Sequence, residues 1–141
     1  MTDKTFAKVS LVSDLHFRGE NKSGLGADMD VPSETNPGVG ATPMELLLQA
    51  IGGCTGIDVA LILRKRKLEP EILEVRILGT KRATHPRSYK NIELSYRCKA
   101  IGLTLPVFEK TVKLSLDNYC SVSDALKSSA EISWKCEIIE N

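Results

Sequence analysis

The sequence predicts an α+β fold, with an antiparallel sheet and one long buried helix in a single domain over residues 1–141. Three observations carry that prediction. Segments 71–82, 91–100 and 132–139 alternate apolar and polar residues, the period of a half-buried strand. Residues 42–66 repeat their apolar positions every three to four residues behind a strong helix-start signal. The elements then run strands, long helix, two strands, two helices, strand, and such runs of one kind mark an α+β protein.

Taken in order, residues 6–12 alternate as a first strand, and 15–18 continue it after a tight turn at Ser13-Asp14. Residues 19–40 are rich in Gly, Pro, Ser and Asn and read as a long connection with one extended piece near 27–31. Thr42 is a good N-cap, Pro43 sits where its missing N–H costs nothing, and Glu45 completes a capping box. Leu47, Ile51, Cys54, Asp58 and Leu61 follow at helical spacing, so this stripe is expected to face inward. The helix is expected to stop before Pro70. Its interior holds Gly52, Gly53 and Gly56, each costing roughly 1 kcal/mol relative to Ala. Such a run implies the close approach of another group at that turn. Residues 83–88, with His85-Pro86, turn the chain between two strands of a hairpin. Pro106 opens a helix through about Leu116, with Phe108, Val112 and Leu116 on one stripe. Cys120 or Ser121 caps a short helix to about Ala130, and a last alternating strand closes the chain. The long helix is apolar around much of its girth, more than one sheet face can cover. A second subunit is the natural supplier of the rest.

Bulk properties narrow the function. A chain of 141 residues can bury a core without cross-links. The formal charge of +1 gives no support for a nucleic-acid partner. The basic cluster at 64–67 closes the long helix, where cations complement the helix dipole. The start Met1-Thr2-Asp3-Lys4 lacks an apolar leader, and the uncharged apolar run from Leu46 to Ile57 is shorter than the roughly 20 residues of a membrane span. A soluble cytoplasmic protein without a membrane partner is therefore expected. Cytoplasmic thiols stay reduced, so four cysteines do not imply two structural disulfides. Their spacing has no C-x-x-C, and with only two histidines no metal site is expected.

The cysteines fall into two groups. Cys98 and Cys136 alternate with apolar residues on strands and read as small buried hydrophobes. Cys54 lies among the helix glycines, and Cys120 at the start of a helix, where backbone amides can stabilise a sulfur anion. Cys54 also reads as a small core residue, and Cys120 as a boundary residue filling a gap. Asp58, one turn after Cys54, needs a partner if it faces inward; Arg18, Arg82 and Arg87 are the candidates.

Pro43-Met44-Glu45-Leu46-Leu47-Leu48, Gly52-Gly53-Cys54, Tyr119-Cys120-Ser121-Val122-Ser123 and the Thr84-His85-Pro86 turn together resemble the OsmC/Ohr family, in its OsmC-like branch. The resemblance covers essentially the whole chain. It implies an intertwined homodimer with two long helices buried centrally and two sites at the interface. It implies that Cys54 is the peroxidatic thiol of a thiol-dependent peroxidase acting on organic hydroperoxides, and Cys120 its resolving partner. A dithiol or lipoyl-type reductant would regenerate the pair, without a bound cofactor or metal. Leu48, Ile51 and Phe108 are expected to supply an apolar approach for the peroxide. Arg18 stands roughly where the family's activating arginine arises. The family glutamate that follows the helix-opening proline is replaced by Met44; Glu45, the candidate acid or base here, stands about 100° further round the helix. That departure keeps open a second reading, a non-peroxidase dimer binding a small apolar or electrophilic molecule, with the cysteines as contacts or redox sensors. A third is a purely structural role.

Overall fold

A computed structural model describes residues 3–140; Met1 and Thr2, where the leaderless start was read, lie outside them. The chain divides into two compact units, Met1–Leu47 and Leu48–Asn141.

The first unit carries a three-stranded antiparallel meander of β1 (Lys8–Ser13), β2 (His16–Glu20) and β3 (Gly26–Met29). Asp14 turns β1 into β2 in the left-handed region, at φ 51°, a conformation that Asp tolerates. The expected long connection is therefore shorter, since β3 returns along β2. Asp30 organises the loop after β3: its carboxylate accepts the backbone N–H of Val31 at 2.7 Å and of Val39 at 3.1 Å.

Helix α1 (Pro43–Lys65) starts as the capping box requires. Glu45 N–H donates to Thr42 Oγ1 at 3.2 Å and Thr42 N–H donates to the Glu45 carboxylate at 2.8 Å. From Leu48 onward α1 belongs to the second unit. There β4 (Ile72–Lys81) and β5 (Tyr89–Lys99) form the expected hairpin around the cis His85–Pro86 turn. Arg82 fastens that turn by donating to Ser88 Oγ, Tyr89 O and Ser129 O, and Arg87 donates to Arg82 O.

The closing strand corrects the antiparallel expectation. β6 (Glu131–Ile138) pairs parallel to β5, so the sheet β4-β5-β6 is mixed. The reason lies in the connection: α2 (Leu105–Leu114), a π-helical turn (Ser115–Tyr119) and α3 (Ser121–Leu126) form a crossover that returns the chain to the end where β5 began. One sheet face then collects Leu73, Val75 and Ile77 from β4, Ile92, Leu94, Tyr96 and Cys98 from β5, and Trp134 and Cys136 from β6. The other carries Glu74, Arg76, Glu93, Arg97 and Glu137, linked through the salt bridges of Arg97 to Glu74 and Glu137.

The buried row of α1 is Ile51, Gly52, Thr55, Val59 and Leu63, not the stripe through Leu47, Cys54, Asp58 and Leu61. An apolar residue stands on nearly every side of this helix, so periodicity alone could not phase it. Contact with β4 sets the phase. A Cβ on Gly52 would lie 2.6 Å from the Ile77 side chain, so this glycine admits the strand. Gly53 faces open space, and Gly56 meets only Val75 at ordinary contact distance. The close approach expected of the glycine run therefore belongs to Gly52. By length and composition α1 could cross a membrane; 28% of its apolar window is buried, with Ile51, Val59 and Leu63 fully so.

Candidate functional site

Cys54 and Cys120 are brought together within the second unit by two unlike devices. Cys54 projects half-buried from the middle of α1. Cys120 follows the π-helical turn as the N-cap of α3, with an extended backbone at φ −73° and ψ 105°. Its own N–H is spent on Ser115 O at 2.8 Å, the wide hydrogen bond that closes the π turn. Its sulfur accepts the Ser123 N–H at 3.3 Å, and the Ser123 hydroxyl donates to Cys120 O at 3.0 Å. Cys120 is 3% exposed, so Cys54 is the more accessible member of the pair. All four cysteines are free.

The electrostatics of Cys120 run against the expectation of an activated thiol at a helix start. Burial pushes its pKa up, and the neighbouring Cys54 thiol adds to the rise. The hydrogen bonds from Ser123 oppose both without reversing them. Cys120 therefore keeps its proton at neutral pH. A six-residue helix supplies too little dipole to offset desolvation.

Polar groups surround the pair. Asp58, one turn after Cys54, accepts the Ser115 hydroxyl on Oδ2 at 2.8 Å. Its partner is thus a serine, while Arg82 and Arg87 hold the hairpin turn. Tyr96 donates from β5 to Thr55 Oγ1 at 2.9 Å, and Thr55 donates to Ile51 O at 3.0 Å. Burial raises the Tyr96 pKa above that of an ordinary phenol, and Cys120, Cys136 and Asp58 add their negative potential. Cys98 is raised to about 11 by burial. Cys136 is raised to about 12 by burial and by Glu109. Cys98 has the buried setting expected of a strand cysteine, whereas Cys136 is only half-buried.

The other expected site residues are engaged in the first unit. Arg18 on β2 reaches Asp28 Oδ2 at 3.4 Å, and His16 Nε2 reaches Asp28 Oδ1 at 3.0 Å. The His16 hydrogen bond first, and then the positive charge of Arg18, hold the Asp28 carboxyl below the usual carboxylate range. Glu45 serves the capping box. Ile51 and Phe108, expected to border the peroxide path, are fully buried core residues. Sequence reasoning missed Ser115, Thr55 and Tyr96. Nothing in Leu114-Ser115-Leu116 marks a π turn, and the Arg18–Asp28 pairing needed the β2–β3 register.

Beside the site, Gly52, Gly53, Gly56 and Ile57 of α1 and Leu73, Val75 and Ile77 of β4 line an open apolar groove of about 530 Å³. Among the described residues, no group of three or more His, Cys, Asp or Glu could hold a metal ion.

A long helix that brings one cysteine to a second, within the crossover between two parallel strands, marks a small α+β protein. The chain belongs to the OsmC/Ohr family: the model of the family described as OsmC-like protein matches residues 35–135. It is 34% identical over 133 residues to Protein YhfA of Escherichia coli strain K12, covering 94% of this chain and 97% of that one. A hypothetical protein from Aquifex aeolicus VF5 superposes with a TM-score of 0.82 at 31% identity, over 99% of this chain and 100% of the other. The organic hydroperoxide resistance protein OhrB of Bacillus subtilis superposes at 0.64 with 13% identity, over 96% and 98% of the two chains, a likeness of fold alone.

Proposed function

We propose that this protein is a cytoplasmic thiol-dependent peroxidase that reduces organic hydroperoxides through a Cys54–Cys120 disulfide cycle, working as a homodimer whose two units form one domain. The observation that carries the reading is the placement of a half-buried thiol against a buried, protonated one. Cys54, as thiolate, attacks the terminal oxygen of ROOH; the O–O bond breaks, the sulfur becomes a sulfenic acid, and the alkoxide leaves as ROH after taking a proton. Cys120 then displaces the sulfenic hydroxyl as water and forms the disulfide. A dithiol of the lipoyl type restores both thiols by two exchange steps and is itself oxidised to a disulfide. Arg18 is kept as the candidate activating group that the resemblance suggests, and Glu45 as a candidate acid or base although Met44 holds the place of the family glutamate.

Exposed apolar surface supports the dimer. Ile57 and Leu61 are 63% and 52% exposed on α1, and Val9 and Leu11 are 57% and 60% exposed on β1. Surfaces of this kind in OsmC-like chains are expected to meet a second copy.

Reduced protein mixed with one equivalent of cumene hydroperoxide should lose two thiols per chain, and Cys54→Ser should abolish that loss. Cys120→Ser should react once and accumulate a sulfenic or over-oxidised Cys54; complete inertness would reverse the two roles or remove them. A second reading, binding of a small apolar or electrophilic molecule, draws on the groove beside Gly53. It takes over if the parent protein loses no thiol.

A further inference from the structure

We propose that the Asp58–Ser115 hydrogen bond is a positioning clamp for the thiol pair, holding Cys120 opposite Cys54 by fixing the π-helical turn against α1. The inference rests on reading Cys54 and Cys120 as a redox pair, but not on a peroxide being the oxidant.

Two rungs join α1 to the crossover. One is Cys54 facing Cys120. The other is Asp58 accepting from Ser115 at 2.8 Å. Cys54 and Asp58 are four residues apart, so they stand one above the other on α1. Ser115 and Cys120 are five apart and joined directly, because the Ser115 carbonyl accepts the Cys120 N–H at 2.8 Å. Ser115 thus holds α1 with its side chain and Cys120 with its backbone, and it is fully buried.

The π turn gives this clamp its leverage. A π turn spreads one extra residue into the helix, and one residue is worth about 100° of rotation. If the segment relaxed to α-helical hydrogen bonding, Cys120 would swing by about that angle away from Cys54. Wide turns of this kind are rare and need local support. The Ser115 hydroxyl could have bonded back to its own helix, as Thr111 does to Val107 O. It reaches across to α1 instead. A half-buried carboxylate on an apolar helix carries a desolvation cost, and a bond that fixes the sulfur geometry accounts for its presence.

The test uses the intact chain equilibrated with mixtures of reduced and oxidised dithiothreitol, with the Cys54–Cys120 disulfide counted by thiol alkylation and mass. Ser115→Ala and Asp58→Ala should each lower the disulfide-to-dithiol equilibrium ratio about tenfold, through lost effective concentration of one sulfur at the other. Asp58→Asn, whose amide oxygen still accepts from Ser115, should stay within about threefold of the parent. The double variant should be no worse than either single, the mark of one shared interaction. Urea midpoints identify the folded variants; if Asp58→Ala does not fold, Ser115→Ala and Asp58→Asn carry the comparison. An unchanged ratio in Ser115→Ala overturns the clamp, as does an Asp58→Asn as impaired as the alanine variants, which would assign the effect to charge. A parent that bridges with dithiothreitol yet ignores cumene hydroperoxide loses the peroxidase reading and keeps the clamp. A parent that never bridges loses both.

Discussion

Cys98, Cys120, Cys136 and Tyr96 share one electrostatic fact: the folded protein holds their protons more tightly than the unfolded chain would. The sign comes from linkage. With a raised folded pKa, stability is fully present below the unfolded value and is lost as pH climbs toward the folded one, because the unfolded chain releases protons that the folded one retains. The window opens near the ordinary thiol value of 9 and extends to about 12, where Cys136 titrates in the fold. Each such group removes up to about 1.4 kcal/mol per pH unit within its window. The urea midpoint of reduced protein should therefore fall steadily above pH 9, and Cys98→Ala should shallow the fall relative to its own neutral-pH value. An unaltered slope in that variant would mean that Cys98 titrates normally. Reading single residues from the sequence went furthest where local chemistry suffices. Thr42 and Glu45 are one capping box, and Cys54 and Cys120 stand in the contexts that singled them out. It stopped where a partner had to be named, because the serine that satisfies Asp58 lies 57 positions away.

Helix α1 was legible in its ends and illegible in its rotation. Caps are local, whereas the buried face is chosen by β4, and a helix apolar on several sides leaves that choice to tertiary contact. The same holds for strand β6: alternation located it, but its direction was set by the geometry of the crossover. Glycines in these elements are testable. A Cβ on Gly79 would lie 2.5 Å from the Tyr89 ring and 3.1 Å from Leu48, with little room for the ring to retreat. Gly79→Ala should cost about 1–3 kcal/mol by urea denaturation, the usual cost of overpacking. A variant as stable as the parent would show that Tyr89 can vacate that space.

Both units expose large apolar residues, Val9 and Leu11 in the first and Ile57 and Leu61 in the second, and the proposed homodimer would cover such surface. The α+β class and the run of elements could be read from periodicity, and the family from two cysteine motifs. The division at Leu48 could not, since α1 runs through it without a break in pattern. If a second copy covers α1, Ile57→Glu should lower the sedimentation mass from that of a dimer to about 15.5 kDa at micromolar concentration, since a charge on an apolar interface is costly. A parent already monomeric at that concentration would remove the dimer.

The sulfur that caps α3 is also the one offered to Cys54. In a disulfide the Cys120 sulfur must turn toward its new bond and away from the Ser123 amide. Oxidation would thereby untie the Ser123 amide and fray residues 121–126, so that hydrogen exchange at this one amide becomes a gauge of the protein's redox history.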